Sequence, residues 1–342
     1  MSDVSPTVFI IILNWNGLDD TLKCLASVEK LDYQPRQVVI VDNGSSDGSP
    51  ARLKASFPHI PLIEHSVNQG YTGGNNAGMR FAIAHGADYL WLLNNDTIPE
   101  PDCLTRLITR ANADHDIGLL CPLTYHYGES GRLQFGGTIA DMARETFFPA
   151  HDPRTGDPDP GALPSLLWGT ALLVKSSVVQ RIGYLDDRYF AYHEDVDYSL
   201  RAIKAGFHTA VEPTAVLYHK WATSSGADSP FRVFLLTRNW YLFWSSHLTG
   251  SSKWTYPSRY VAWAIRQAVS YRDSGNPTAA DACLDGAWSA LRGSFGPPEN
   301  RVTMPAPLKH LLLAHPYFWN HLLAGKLLTI LGAAASRLHR RP

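Results

Sequence analysis

A chain of 342 residues, 45% hydrophobic and 18% charged, can build one large α/β core with an appendage, and its composition excludes general disorder. Thirty Lys and Arg against 31 Asp and Glu leave a formal charge of −1. Nonspecific nucleic-acid binding needs a strong basic excess and is therefore excluded, so any anionic ligand must be held locally.

The opening "MSDVSPTVFIIILNWNG" lacks a charged n-region, and its apolar run is too short for a signal segment or a spanning helix. It reads as a first buried strand. Apolar runs then alternate with helix-like segments: "LDDTLKCLASVEKL", "RQVVIVDNGSSDGS", "SPARLKASF", "IPLIEHSVN", "GGNNAGMRFAIAHG" and "DYLWLLNND". Strands rich in Val, Ile and Leu between helical patterns predict βαβ units in a mainly parallel, Rossmann-like sheet flanked by helices. Polar strand ends should then line one rim, where open α/β sheets bind ligands.

After Pro99, "EPDCLTRLITRANA" reads as a helix and residues 152–164, rich in Gly, Pro and Asp, as a mobile loop. "SLLWGTALLVK" reads as a strand, and the loop "GYLDDRYFAYHEDVD" feeds a helix "DYSLRAIKAG" closed by Gly206. "TAVEPTAVLYHKWATSS" supplies a last strand or two. Cys24, Cys103, Cys121 and Cys283 lack CxxC spacing, so neither zinc nor disulfides are expected and a reducing cytoplasm fits.

From about Phe231 aromatics and helices take over, which divides the chain into residues 1–230 and a helical region 231–342. Near the end Trp319, Leu322, Leu323, Leu327, Ile330 and Leu331 share a helical face, with Arg337, His339, Arg340 and Arg341 behind them. Two readings stay open, a helix packed on its own domain and a helix lying on an anionic membrane. Lys326 argues against a span.

Five constellations carry candidate chemistry. In "VVIVDNGSSDGS" Asp42 stands at a strand end before Asn43 and a small-residue turn, where a carboxylate can accept from a pyrimidine imide N–H or simply cap a helix. "NQGYTGGNNAGMR" places Asn68, Gly70, Gly73 and Asn75 at a helix start whose free N–H groups and dipole suit a diphosphate; a flexible connector is the alternative. "LLNNDT" offers one strong oxygen ligand, Asp96, with amides at Asn94 and Asn95, and also satisfies a turn. Glu194 and Asp195 open a helix, where the dipole favours an ionised base and where acids are also common for structural reasons. His219 closes an apolar strand and is the nearest supplement to Asp96 as a metal ligand, although a lone histidine is more often structural.

In this order the segments "VFIIILNWNG", "VVIVDNGSSDGS", "NQGYTGGNNAG", "LLNNDT", "WGTALLVK", "FAYHEDVDYSLRAIKAGF" and "LYHKWATSS" resemble the family-2 glycosyltransferases over residues 7–225. The resemblance implies an inverting enzyme of the GT-A fold, most similar to rhamnosyltransferase-type enzymes of bacterial surface polysaccharide synthesis. It implies a nucleotide-binding half at 7–98 and an acceptor and catalytic half at 99–230. Asp42 then matches the base-reading aspartate with Asn14 beside it, Asn94 and Asp96 the ends of a DxD-like motif, and Asp195 the catalytic base with Glu194 its neighbour. His219 matches a histidine completing the metal site, and Trp168, Gly169 and Thr170 fall where the sugars are lined. The expected cofactor is a divalent ion, Mn2+ or Mg2+. The expected partners are a dTDP- or UDP-sugar, rhamnose favoured, and a glycan or lipid-linked acceptor at the cytoplasmic face of the plasma membrane.

Two rivals stand against this. A noncatalytic sugar-binding scaffold has no reason to keep Asp42, Asp195 and His219 at strand and helix ends, and an NAD-linked oxidoreductase lacks the GxGxxG fingerprint.

Overall fold

In strand β1 (Val8–Asn14) every residue before the final asparagine is apolar, so both of its faces can be buried. The computed structural model, which describes residues 5–129, 131–150, 166–220, 228–316 and 319, places it inside a mixed sheet. The loop expected at 152–164, the end of the "HKWATSS" segment and the helical face beyond Trp319 lie outside the described residues. Helix α1 (Leu18–Val28) leads to β2 (Arg36–Asp42), α2 (Ser49–Ser56), β3 (Leu62–Glu64), α3 (Gly70–Ala84) and β4 (Tyr89–Asn94). These βαβ units place β3, β2, β1 and β4 side by side and parallel, as the alternation predicts.

The chain continues through β5 (Thr97–Pro99), α4 (Cys103–Ala113), β6 (Ile117–His126), β7 (Leu133–Phe135), β8 (Thr138–Asp141) and β9 (Thr146–Pro149). It then forms β10 (Ala171–Lys175), α5 (Ser176–Ile182), α6 (Glu194–Lys204) and β11 (His208–His219). The sheet order is β3-β2-β1-β4-β10-β6-β11-β5 with β7 beside β6, while β8 and β9 form a separate ribbon. Two features of β10 matter, its direction and its late start, the second a departure from the strand expected at "SLLWGTALLVK". β10 runs antiparallel to β4 and β6, and it starts only at Ala171, so Trp168 is irregular and Gly169–Thr170 form a turn at its entrance rather than strand.

Alternation along β1 sorts the core into two layers. Val8, Ile10 and Ile12 pack with Cys24, Leu25 and Val28 of α1 and Leu104 and Leu107 of α4. Phe9 and Ile11 pack with Met79 and Ala82 of α3 and Tyr198 and Ala202 of α6. Each such large side chain contributes about 1.5–3 kcal/mol by leaving water.

Contacts divide the chain into two compact units, Met1–Trp221 and Ala222–Pro342. The second is built of α7 (Pro230–His247), α8 (Gly250–Asp273), α9 (Pro277–Leu291) and α10 (Ala306–Ala314). Ser229 and Asn276 cap α7 and α9 by accepting from the N–H groups of Arg232 and Ala279, with proline at the first helical position of each. Arg238 is fully buried, donates to the Gly296 carbonyl at 2.7 Å and is held down to about 10 by burial. Among the described residues no helix is long and apolar enough to cross a membrane.

Helix α3 lies against β1 through glycines: a Cβ on Gly78 would sit 2.4 Å from Ile11 Cγ2, and one on Gly74 would sit 2.3 Å from Leu13 Cδ1. Gly78→Ala is therefore expected to destabilise the protein by about 1–3 kcal/mol through overpacking, despite alanine's better helix propensity. Chemical denaturation checks this, and an unchanged or raised midpoint would show that the layer can yield.

Candidate active site

The register of the sheet gathers the polar strand ends. Asn14 pairs with Asp42, Leu13 with Asn94, and Ala171 of the reversed β10 with Leu93, so the start of β10 lies at the same rim as the ends of β1, β2 and β4. The Asn94 N–H donates to the Thr170 carbonyl at 3.0 Å, joining "LLNND" to "WGT". β6 and β11 run parallel to each other and antiparallel to β10, which brings His219 to this rim as well.

Asp42 is 1% exposed, and each of its oxygens accepts one bond: Oδ2 from Asn14 Nδ2 at 2.7 Å, Oδ1 from the Ser45 N–H at 2.9 Å. One further lone pair remains on each oxygen. Asn14 is locked in turn, because its Oδ1 accepts from the Thr21 hydroxyl at 2.8 Å.

β5 pairs with the end of β11, aligning Thr97 with His219. His219 Nε2 thereby lies 3.2 Å from Asp96 Oδ1, the two residues expected from sequence to share an ion. His219 Nδ1 lies 2.7 Å from Gln134 Oε1 on β7. With Nδ1–H donating to that oxygen, Nε2 keeps its lone pair toward Asp96, an orientation that suits a metal ligand. Carboxylate oxygen and imidazole nitrogen together fit Mn2+ well and Mg2+ less well. Gln134 is invisible to sequence reasoning, since a three-residue strand shows no periodicity. Lys220 follows, its N–H donating to the Asp96 carbonyl at 3.0 Å and its ammonium paired with Asp20.

The second centre is Asp195. Its Oδ2 accepts from the Gly169 N–H at 2.8 Å and its Oδ1 from the Val196 N–H at 2.8 Å. Gly169 is held from its other side by Tyr71, whose hydroxyl donates to the Gly169 carbonyl at 2.5 Å. Burial raises the Asp195 carboxyl above the ordinary range, and the two N–H bonds offset part of that rise. Glu194 is 4% exposed; burial first and the Asp195 charge second push it well above the usual glutamate value, and its Oε2 has no partner among the described residues. Arg201 pairs with Asp197 at 2.8 Å, leaving Asp195 to its backbone donors. Before α6, Phe190, Tyr192 and His193 all adopt positive φ, of 65°, 71° and 70°. Non-glycine residues in this region cost ~1–3 kcal/mol each, and nothing in "RYFAYH" announces it.

The asparagine-rich loops are bonded into the scaffold. Asn43 Nδ2 donates to Asn68 Oδ1 and to the Gly70 carbonyl, both at 2.9 Å, and Asn43 Oδ1 accepts from the Gln69 N–H. Asn75 bonds the Tyr71 carbonyl within its own helix, and Asn95 bonds Thr21 and Gly17. The N–H groups expected to be free at the start of α3 are partly engaged: that of Gly70 by Asn68 Oδ1 at 2.7 Å, that of Thr72 by the Phe190 carbonyl at 3.1 Å. A Cβ on Gly70 would meet Phe190 at 2.3 Å, and one on Gly73 would meet Gln69 at 2.7 Å. These glycines permit close packing. Trp168 stacks on Phe135 with centroids 4.5 Å apart. A separate grouping of Asp114, Asp116 and His208 lies at the opposite strand ends, largely exposed.

Comparison with known proteins gives the same direction. A family model described as glycosyl transferase family 2 matches residues 9–175. An N-acetylglucosaminyl-diphospho-decaprenol L-rhamnosyltransferase of Mycobacterium tuberculosis is 28% identical over 80% of this chain and 92% of its own. A galactofuranosyltransferase of Mycolicibacterium smegmatis is 26% identical over 58% of this chain and 66% of its own. Among solved structures, a mannosyltransferase from Pyrobaculum calidifontis in complex with GDP-Man and Mn2+ superposes with a TM-score of 0.52 at 16% identity, covering 99% of this chain and 89% of that one. Staphylococcus aureus TarS 1–349 does so at 0.50 and 14%, covering 84% and 92%.

The burial of Glu194 has a measurable sign. An acid whose ionised form is disfavoured in the fold loses stability for the protein as pH rises above its unfolded value of about 4.3. Glu194→Gln should therefore raise the melting temperature by a few degrees at pH 8 and by much less at pH 4. A difference independent of pH would show that Glu194 is ionised in the fold.

Proposed function

The chain belongs to the family-2 glycosyltransferases and has the GT-A fold, and from that premise we propose that it transfers rhamnose from a dTDP- or UDP-linked donor to a hydroxyl of a lipid-linked glycan. The product belongs to cell-surface polysaccharide synthesis at the inner face of the plasma membrane, with peripheral contact through the C-terminal helices. The rhamnosyltransferase relative, matched over 92% of its length, supports the donor sugar and the acceptor class. The observation that carries the reading is the meeting on one rim of the Asp96–His219 pair, 3.2 Å apart, and an Asp195 carboxylate bound by Gly169.

In this reading Asp195 takes the proton of the acceptor hydroxyl, whose oxygen attacks the anomeric carbon as the bond to the diphosphate breaks. One displacement inverts that carbon. A divalent ion, Mn2+ or Mg2+, held by Asp96 and His219 would neutralise charge on the leaving diphosphate. Asn94 stands beside Asp96, and Asp42, braced by Asn14, accepts from the imide N–H of thymine or uracil. Burial pushes Glu194 toward its neutral form, which would favour leaving the negative charge on Asp195.

Nucleotide release should be measured across a panel of nucleotide sugars with a lipid-linked acceptor present, dTDP-rhamnose giving the highest turnover. Asp195→Asn should lower kcat by about 10²–10⁴ while donor affinity stays unchanged. Full turnover in this variant would remove the assigned base, and donor binding without any wild-type turnover would turn the reading to a sugar-binding scaffold. Because burial raises Asp195, the acidic limb of kcat/KM should lie above the ordinary aspartate value of about 3.9 and activity should fall as pH drops through it. Gln134→Leu should raise the metal concentration needed for half-maximal activity about 10- to 100-fold with kcat retained at saturation; an unchanged requirement would separate Gln134 from the ion.

A further inference from the structure

Residues 229–272 contain six Lys or Arg, four Trp and no Asp or Glu, in a chain whose formal charge is −1. This run forms α7 and α8. One face of α8 is fully used: Tyr256 and Tyr260 are each 1% exposed, and their hydroxyls donate to the carbonyls of Trp240 at 3.3 Å and Thr237 at 2.9 Å. Trp263, on the same face, stacks on Trp240 with centroids 5.2 Å apart. Trp254 precedes Tyr256 by two positions, about 200° round the helix, and is 84% exposed, more than any other large hydrophobic among the described residues. All residues from Thr249 to Trp254 are exposed, Lys253 among them. The Arg259 guanidinium folds back over this turn, donating to the Ser252 carbonyl at 3.2 Å and to the Thr255 hydroxyl.

We propose that this end of α8, with Lys253, Trp254 and Arg259, is a docking surface for an anionic phospholipid bilayer. An indole with an apolar body and one N–H donor suits the boundary between headgroups and acyl chains, and cations beside it are drawn to anionic headgroups. The protein would lie on the surface, since no described helix can span it. Charge disfavours the other occupants: a second copy would bring the same basic turn, and the end of this chain carries Arg337, Arg340 and Arg341. The inference does not rest on the transfer reaction.

The full chain should co-sediment with vesicles of phosphatidylcholine mixed with phosphatidylglycerol and not with phosphatidylcholine alone, the binding weakening as salt is added. Lys253→Ser should lower the partition coefficient about fivefold and Trp254→Ser at least as much, with melting temperature and donor turnover in vesicle-free solution both unchanged. Equal binding to neutral vesicles would overturn the proposal. So would undiminished binding by both variants, which would move the contact to residues 317–342. A wild-type dimer that Trp254→Ser splits, seen by light scattering, would give the surface to a second copy instead.

Discussion

The peptide at Gly169 ties the first unit together at its rim. Its N–H holds Asp195 at the start of α6, its carbonyl is held by Tyr71 of α3, and the next carbonyl receives the N–H of Asn94 from β4. Two stiff peptide planes meet at Gly169, and each is held by a bond, so the turn places Asp195 relative to β4, which ends two residues before Asp96. A side chain at 169 would meet the Tyr71 hydroxyl at 2.5 Å, so the contact depends on glycine for its closeness. The reversal of β10 makes this possible: only an antiparallel strand begins where its neighbour β4 ends.

Around that peptide the rim accumulates acid. Asp42, Asp96, Glu194 and Asp195 converge there, and each is handled differently. Asp42 is braced by an amide and an N–H, Asp96 faces an imidazole, Asp195 takes two backbone donors, and Glu194 is buried without a partner for one oxygen. A diphosphate entering such a place needs positive charge supplied with it or waiting for it. In the proposed reading, a divalent ion held by the Asp96–His219 pair would answer the first need. Lys220, held by Asp20 and lying 5.4 Å from the centre of the Tyr127 ring, follows His219 directly and donates its backbone N–H to the Asp96 carbonyl.

Much of this was legible in the residues. Apolar runs such as "VFIIIL" and "YLWLL" read as strands buried on both faces, and with the helical segments between them they predict a mainly parallel sheet with its polar ends along one edge. Asp96 and His219, more than a hundred residues apart, were both marked by standing at the end of such a run, and the structure sets them side by side. What stayed hidden has physical reasons. β5 and β7 have three residues each, too few for any period, and β7 carries Gln134, the group that orients His219. The direction of β10 is a property of the whole sheet. The asparagines of "NQGYTGGNN" were expected as ligand contacts; that they also knit the loops together, Asn68 to Asn43 and Gly70, and Asn75 to Tyr71, depends on burial and partners that are not written in the sequence.

The three left-handed residues ahead of α6 have a consequence for how this segment can change. At Phe190, Tyr192 and His193 the backbone conformation is one that glycine or asparagine adopts far more easily. Replacing Tyr192 or His193 by glycine would relieve strain, yet it would also let the loop wander and loosen the footing of Glu194 and Asp195, whereas at the buried Phe190 the packing lost would outweigh the strain relieved. Stability and reactivity therefore make opposed demands on Tyr192 and His193. A variant library sorted for robustness alone would drift toward small flexible residues here, and one sorted for turnover would keep the bulky, strained ones.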